Sequence, residues 1–188
     1  MENICVKQLM VTLSEYATVS EKANLLEAIQ AMENKQKRYS DKPYRHRSVL
    51  VLNAKKKVIG KLSQVDIMRA LEPNYNKIGT DISLGRFGFS AAFMKAICDQ
   101  FDLWQRPLEE FCQVLQQVKV TEAMYTPAEH QRVMQTDTLQ MAIHQFVMGR
   151  HQSLLVTEKR SKRIVGILRS TDVFNWLCDE TGVCKTTR

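Results

Sequence analysis

The chain lacks most of what would place it in a membrane or assign it a reaction. No apolar run approaches the roughly 20 residues needed to cross a bilayer. The first residues, Met1–Lys7, hold no basic stretch followed by an apolar one, so no signal peptide is read there. The five cysteines (Cys5, Cys98, Cys112, Cys178, Cys184) are odd in number, scattered, and never spaced as CxxC. That pattern argues against a disulfide framework and against a zinc site, and for reduced thiols. A P-loop, a nucleophile elbow, HExxH and a Rossmann glycine signature are all missing, so catalysis is not expected. With 44% hydrophobic and 25% charged residues, the 188-residue chain is globular, the size of one domain or two small ones. A soluble cytoplasmic protein without membrane contact is expected.

Charge of one sign is unevenly placed. Lys35–Lys57 contains nine Lys/Arg against the single Asp41, more than the whole chain's excess of +7. A basic stripe spread over a fold would point to polyanion binding. A single basic segment reads either as a solvated loop and hairpin tip or as a local anion site. No recognition helix, RNP-like strand or zinc motif accompanies it, so nucleic acid is not an expected partner.

What is there is a repeat. Val6–Thr12 aligns with Val120–Thr126 at an offset of 114, which also carries Val19 onto Val133, Leu25 onto Leu139, Ala28 onto Ala142 and Ile29 onto Ile143. After an insertion in the first copy, Arg45–Val51 aligns with Arg150–Val156, and Val58–Ile67 with Ile164–Val173. Each copy predicts a short strand, an amphipathic helix, two apolar strands and a last helix. The first helix carries Leu25, Ala28, Ile29 and Met32, or Leu139, Ala142, Ile143 and Phe146 after an N-cap at Thr138, at i, i+3, i+4, i+7. The fold class is mixed α/β (α+β): two pseudo-symmetric β-α-β-β-α units, residues 1–72 and 118–188, around a segment 73–117.

That middle segment has Pro73, then three of the chain's seven glycines by Phe89. Ser90 is placed to cap a helix with Phe93, Ile97, Phe101 and Trp104 on one face, and Pro107 to open a second with Leu108, Phe111, Cys112 and Leu115 inward. It reads as a helical hairpin: a spacer, a dimerisation element or a partner-facing lid.

The paired sequence resembles the CBS domain, whose tandem pairs form the Bateman module. The residues carrying the resemblance are Leu9-Met10 and Ala123-Met124, the Leu-x-x-Ala-Ile helices, the Ser-Val-Leu-Val and Ser-Leu-Leu-Val strands, and above all Gly60-x-x-Ser63-x-x-Asp66 and Gly166-x-x-Arg169-x-x-Asp172. The resemblance implies a stand-alone regulatory module that binds AMP, ADP or ATP between its repeats. Such a module signals ligand state to a regulated protein and commonly forms homodimers. Asp66 and Asp172 are then the ribose residues, a role that suits a carboxylate accepting from a vicinal diol. Ser63, His46, Arg47, Arg150, His151, Arg169 and Thr171 are the phosphate candidates. Ile167 is the base contact of the second copy, and Lys61 stands where the family usually has an apolar residue against the base.

Two positions depart from the family pattern: Arg169 replaces the hydroxyl residue, and Lys61 replaces the apolar one. With Asp172, Thr171, Ile167 and nearby cations, the second copy is expected to contribute more to binding than the first. Ser63–Asp66 also reads as an ordinary helix capping box. The alternatives to nucleotide binding are a ligand-free interaction or dimerisation module and polyanion binding through Lys35–Lys57.

Overall fold

The computed structural model describes residues 4–38, 47–78 and 90–182. The first unit runs β2 (Thr18–Ser20), α1 (Leu25–Arg38), β3 (Ser48–Leu52), β4 (Val58–Ser63) and α2 (Gln64–Leu71). The second repeats it as β5 (Arg132–Met134), α6 (Leu139–Gly149), β6 (Ser153–Thr157), β7 (Ile164–Arg169) and α7 (Ser170–Thr181). In both, a parallel pair (β2–β3, β5–β6) joins an antiparallel hairpin (β3–β4, β6–β7), as the repeat predicts. Thr138 caps α6 by accepting from the Met141 amide. The last helices begin at Gln64 and Ser170, two residues before the Asp of each motif.

The leading segments are exchanged between the units. Strand β1 (Val11–Thr12) pairs with β7, Leu139 N–H donates to the Ile4 carbonyl, and Val6 is buried in the core of the second unit. Reciprocally, α5 (Val120–Ala123) puts Val120 into the core of the first unit, and Lys61 and Tyr125 exchange backbone hydrogen bonds. Two glycines permit the exchange. A Cβ on Gly60 would collide with the Met124 sulfur, and one on Gly166 with the Val11 carbonyl oxygen. Each unit therefore completes its core with the other's lead.

The central strands β3 and β6 carry unbroken apolar runs, Val49–Leu52 and Leu154–Val156, because they are covered on both faces. Val49 and Val51 face their own unit's core, and so do Leu154 and Val156. Leu50 and Leu155 point the other way and meet Val11, Tyr16 and Ile167 in a layer between the repeats.

The middle segment does form two helices, α3 (Ala91–Gln100) and α4 (Leu108–Gln117), with Ser90 capping α3. Its inward face differs from expectation. Leu108 is 76% exposed and Cys112 is exposed, while Leu115 and Val118 pack on the first unit's core. Helix α3 stops at Gln100, so Phe101 and Trp104 lie beyond it, and Trp104 has a positive φ of 62°. The Trp104 amide donates to the fully buried Glu72 carboxylate (2.8 Å), which ties the hairpin to the end of the first unit.

Candidate functional site

A cleft of about 650 Å³ opens between the repeats, where β3 and β6 begin and β4 and β7 end. Register dictates this. Ser48 pairs with Ser63 in one hairpin and Ser153 with Arg169 in the other, so the strand starts sit beside the two Gly-x-x-Ser/Arg-x-x-Asp motifs. The first unit lines the cleft with Tyr16, Arg47, Ser48, Lys61, Ser63 and Gln64. The second contributes Gln152, Ser153, Arg169, Ser170 and Thr171.

The two motifs are wired differently. In the first, Ser63 Oγ accepts from the Asp66 amide (3.3 Å), while Asp66 Oδ2 accepts from the Ser63 amide (2.8 Å) and from its hydroxyl (2.6 Å). This is a complete capping box, so Asp66 starts α2 whatever else it does. Its Oδ1 takes part in neither bond. In the second motif, Arg169 grips Asp172 with two hydrogen bonds, Nε to Oδ2 at 2.6 Å and Nη2 to Oδ1 at 2.5 Å. Both carboxylate oxygens are engaged, in the two-pronged geometry that makes guanidinium–carboxylate pairs strong.

Lys61 is the other asymmetry. It opposes Leu50 in the β3–β4 hairpin as Ile167 opposes Leu155 in β6–β7, so it occupies the layer between the sheets. Its ammonium donates to Ser153 Oγ of the other repeat and lies 5.9 Å from the centre of the Tyr125 ring. Burial lowers its pKa to about 8, against the opposing pull of Asp66. The same burial, with Asp66 nearby, pushes Tyr125 up to about 12.

The predicted site residues are not all brought together. Ser63, Arg47, Lys61, Arg169 and Thr171 line the cleft, and Asp66 and Asp172 adjoin it through their hydrogen-bond partners. Ile167 is sealed in the apolar layer with no exposure, so it offers no open wall to a base. Arg150 is exposed at the C-terminus of α6 in a left-handed conformation. His151 stacks on His130, centroids 5.4 Å apart, and its pKa is lowered by partial burial, then by His130 and Lys61. His46 lies outside the described residues. The first amides of α2 and α7 are already used, donating to the Arg47 and Gln152 carbonyls, so side chains supply most of the positive character.

Tyr16, Ser48 and Ser153 were not singled out by sequence. Tyr16, almost fully buried, shares a 2.7 Å hydrogen bond with Ser48, and burial raises its pKa. A signal existed: the serine opens the strand in both copies, and the offset of 114 sets Tyr16 against His130.

A family model for the CBS domain matches residues 6–73. Residues 6–73 match the CBS-domain family, and the chain shares the fold of CBS-pair proteins. Its solved relatives in fold cover both repeats. A CBS domain-containing protein of unknown function from Bacillus anthracis is 16% identical, with 95% of this chain and 96% of that one aligned and a TM-score of 0.61. The Arabidopsis thaliana CBS-pair protein CBSX2, solved in complex with AMP, is 13% identical over 95% and 99% of the two chains, TM-score 0.58. A putative acetoin utilization protein from Vibrio cholerae is 16% identical over 98% of each chain, TM-score 0.57. No curated protein sequence matches. Among the described residues of this CBS pair, no helix is long and apolar enough to cross a membrane, and no group of three or more His, Cys, Asp or Glu is arranged to hold a metal ion.

Proposed function

We propose that this CBS pair is a regulatory, non-catalytic module that binds an adenosine nucleotide in the cleft between its repeats. The observation that carries the reading is the cleft lining: among the described residues, Arg47, Lys61 and Arg169 with hydroxyl and amide side chains, and no carboxylate, beside the Asp66 motif. Cations and hydroxyls of this kind suit phosphate oxygens. Asp66, with Oδ1 outside the capping box, is the ribose acceptor; Asp172 must first release Arg169. This reverses the expected ranking of the two halves. The AMP complex of CBSX2 supports the choice of ligand class.

Ligand reaches both units at once, so its effect on a regulated partner acts through the packing of the repeats, by differential affinity for two arrangements. The apolar side chains left outward on the helices, Val65 and Met68 of α2, Met141 and Met148 of α6 and Phe174 of α7, are the surface for a homodimer. Light scattering should give twice the chain mass; a monomer across a broad concentration range contradicts the dimer.

A thermal-shift panel of adenosine, AMP, ADP and ATP tests the ligand. A binder at about 100 times its dissociation constant adds roughly 2.7 kcal/mol to native stability. No shift with any of them contradicts nucleotide binding and favours the ligand-free interaction module, for which the closed Arg169–Asp172 pair is the supporting observation.

A further inference from the structure

Lys61 is a cation in a place where the fold has no need of one. Its counterpart Ile167 fills the same register of the other repeat, fully buried against Leu155 and Val11. An apolar residue therefore completes the layer, whereas Lys61 is 9% exposed and keeps an ammonium there. Burying a charge is unfavourable unless something opposite in sign or rich in acceptors meets it. An ammonium has three donors; among the described residues, Lys61 uses one of them on Ser153. The Tyr125 ring adds a weak attraction to that contact. Asp66 acts on it electrostatically, but Arg169–Asp172 is the ion pair formed among the described residues. Arg169 is thus already neutralised, while Lys61 and Arg47 face the cleft with no carboxylate paired to them among the described residues.

Two uncompensated cations on one cavity wall call for more than one negative charge. We propose that Lys61 makes the centre of the cleft a site for linked phosphates, a pyrophosphate or tripolyphosphate group whose oxygens take the ammonium from Ser153. The inference deepens the nucleotide reading, on which it rests for the identity of the whole ligand, by selecting nucleoside di- and triphosphates over adenosine and AMP. Because Lys61 belongs to the first repeat and Ser153 to the second, phosphate binding replaces a direct bond between the repeats with a bridge through the ligand.

Calorimetry at pH 7 on the full chain, Lys61→Met, Lys61→Arg and the hairpin-tip control Lys56→Met tests this, with sodium tripolyphosphate, adenosine and ATP as probes. Tripolyphosphate should bind the wild type and lose about tenfold or more in Lys61→Met. Lys61→Arg should restore part of the loss and Lys56→Met should bind as the wild type. ATP should weaken in Lys61→Met while adenosine does not. Thermal melting of each variant reports that it is folded. No binding of tripolyphosphate to the wild type overturns the proposal, as does equal binding by Lys61→Met, or an equal loss in Lys56→Met. If tripolyphosphate binds through Lys61 but neither adenosine nor ATP is recognised better than the bare anion, the anion site stands and the nucleotide reading fails.

Discussion

The two repeats share one backbone plan and differ where they face each other. In the second, Val11, Ile167 and Leu155 lie side by side across β1, β7 and β6, and the layer is apolar. In the first, Tyr125, Lys61 and Leu50 hold the equivalent places, and the layer carries a charge. At the motif ends the polarity reverses: Ser63 and Asp66 form a modest cap, while Arg169 and Asp172 form a closed ion pair. A duplicated frame supplies two equivalent positions; a single-residue change at each decides which is a strut and which is open to ligand.

The largest difference should appear on removing the acids. Asp172→Ala leaves Arg169 without its partner at the edge of the cleft, and breaking this partly buried pair should cost about 2 kcal/mol. Chemical denaturation should register it, and a loss below about 1 kcal/mol would mean the pair is no strut. Lys61 should act in the opposite direction in the ligand-free protein. Its folded pKa of about 8 lies below the ordinary 10.5. Between those values the unfolded chain binds more protons, so the Lys61 contribution to stability rises as pH climbs from about 8 to 10.5 and is fully unfavourable below 8. Lys61→Met should therefore stabilise the free protein at pH 7 by up to about 3 kcal/mol and remove that rise. Asp66, Tyr125 and Ser153 remain in both proteins, while His151 loses the influence of Lys61 and titrates at lower pH, so it is between about 8 and 10.5 that the difference between the profiles reports the lysine.

The glycines sharpen the comparison at smaller scale. A Cβ at residue 166 meets backbone of β1, which cannot move without unpairing β1 from β7; one at residue 60 meets the flexible end of Met124. Gly166→Ala should cost about 2 kcal/mol and Gly60→Ala about 1, by thermal melting. Equal costs would show that β1 yields as easily as a methionine side chain. Asp66→Ala, which removes one side of a capping box, should be mildest in stability, at about 0.5 kcal/mol.

Much of this was legible in the chain. The offset of 114 implied a duplicated β-α-β-β-α unit, and Thr138, Ser90 and Ser63 cap the helices they precede. The exchange of leading segments was not legible, because Val6 and Val120 are equally apolar whichever core receives them. The Arg169–Asp172 pair was hidden for a different reason. Its i, i+3 spacing is that of any cap, and only the position of Arg169 at the strand end directs its guanidinium back to the carboxylate. Lys61 was conspicuous as a departure, but its reach to Ser153 depends on two sheets meeting face to face, which no local pattern encodes. Among its described residues the basic segment falls in separate places: Lys35 on α1 donates to the Ser14 carbonyl, Arg47 borders the cleft and Lys55–Lys57 form the tip of the β3–β4 hairpin, while Lys42 and Arg45 lie outside the described residues.

On the proposed reading, the first repeat, not the second, holds the ribose of a nucleotide seated in the cleft. Titration of ATP by calorimetry into the wild type and Asp66→Ala tests it most directly. One nucleotide per chain should bind the wild type, and Asp66→Ala should bind about tenfold to a hundredfold more weakly, as expected for hydrogen bonds lost to a charged carboxylate. Unchanged affinity in folded Asp66→Ala, or no heat of binding to the wild type, would contradict it.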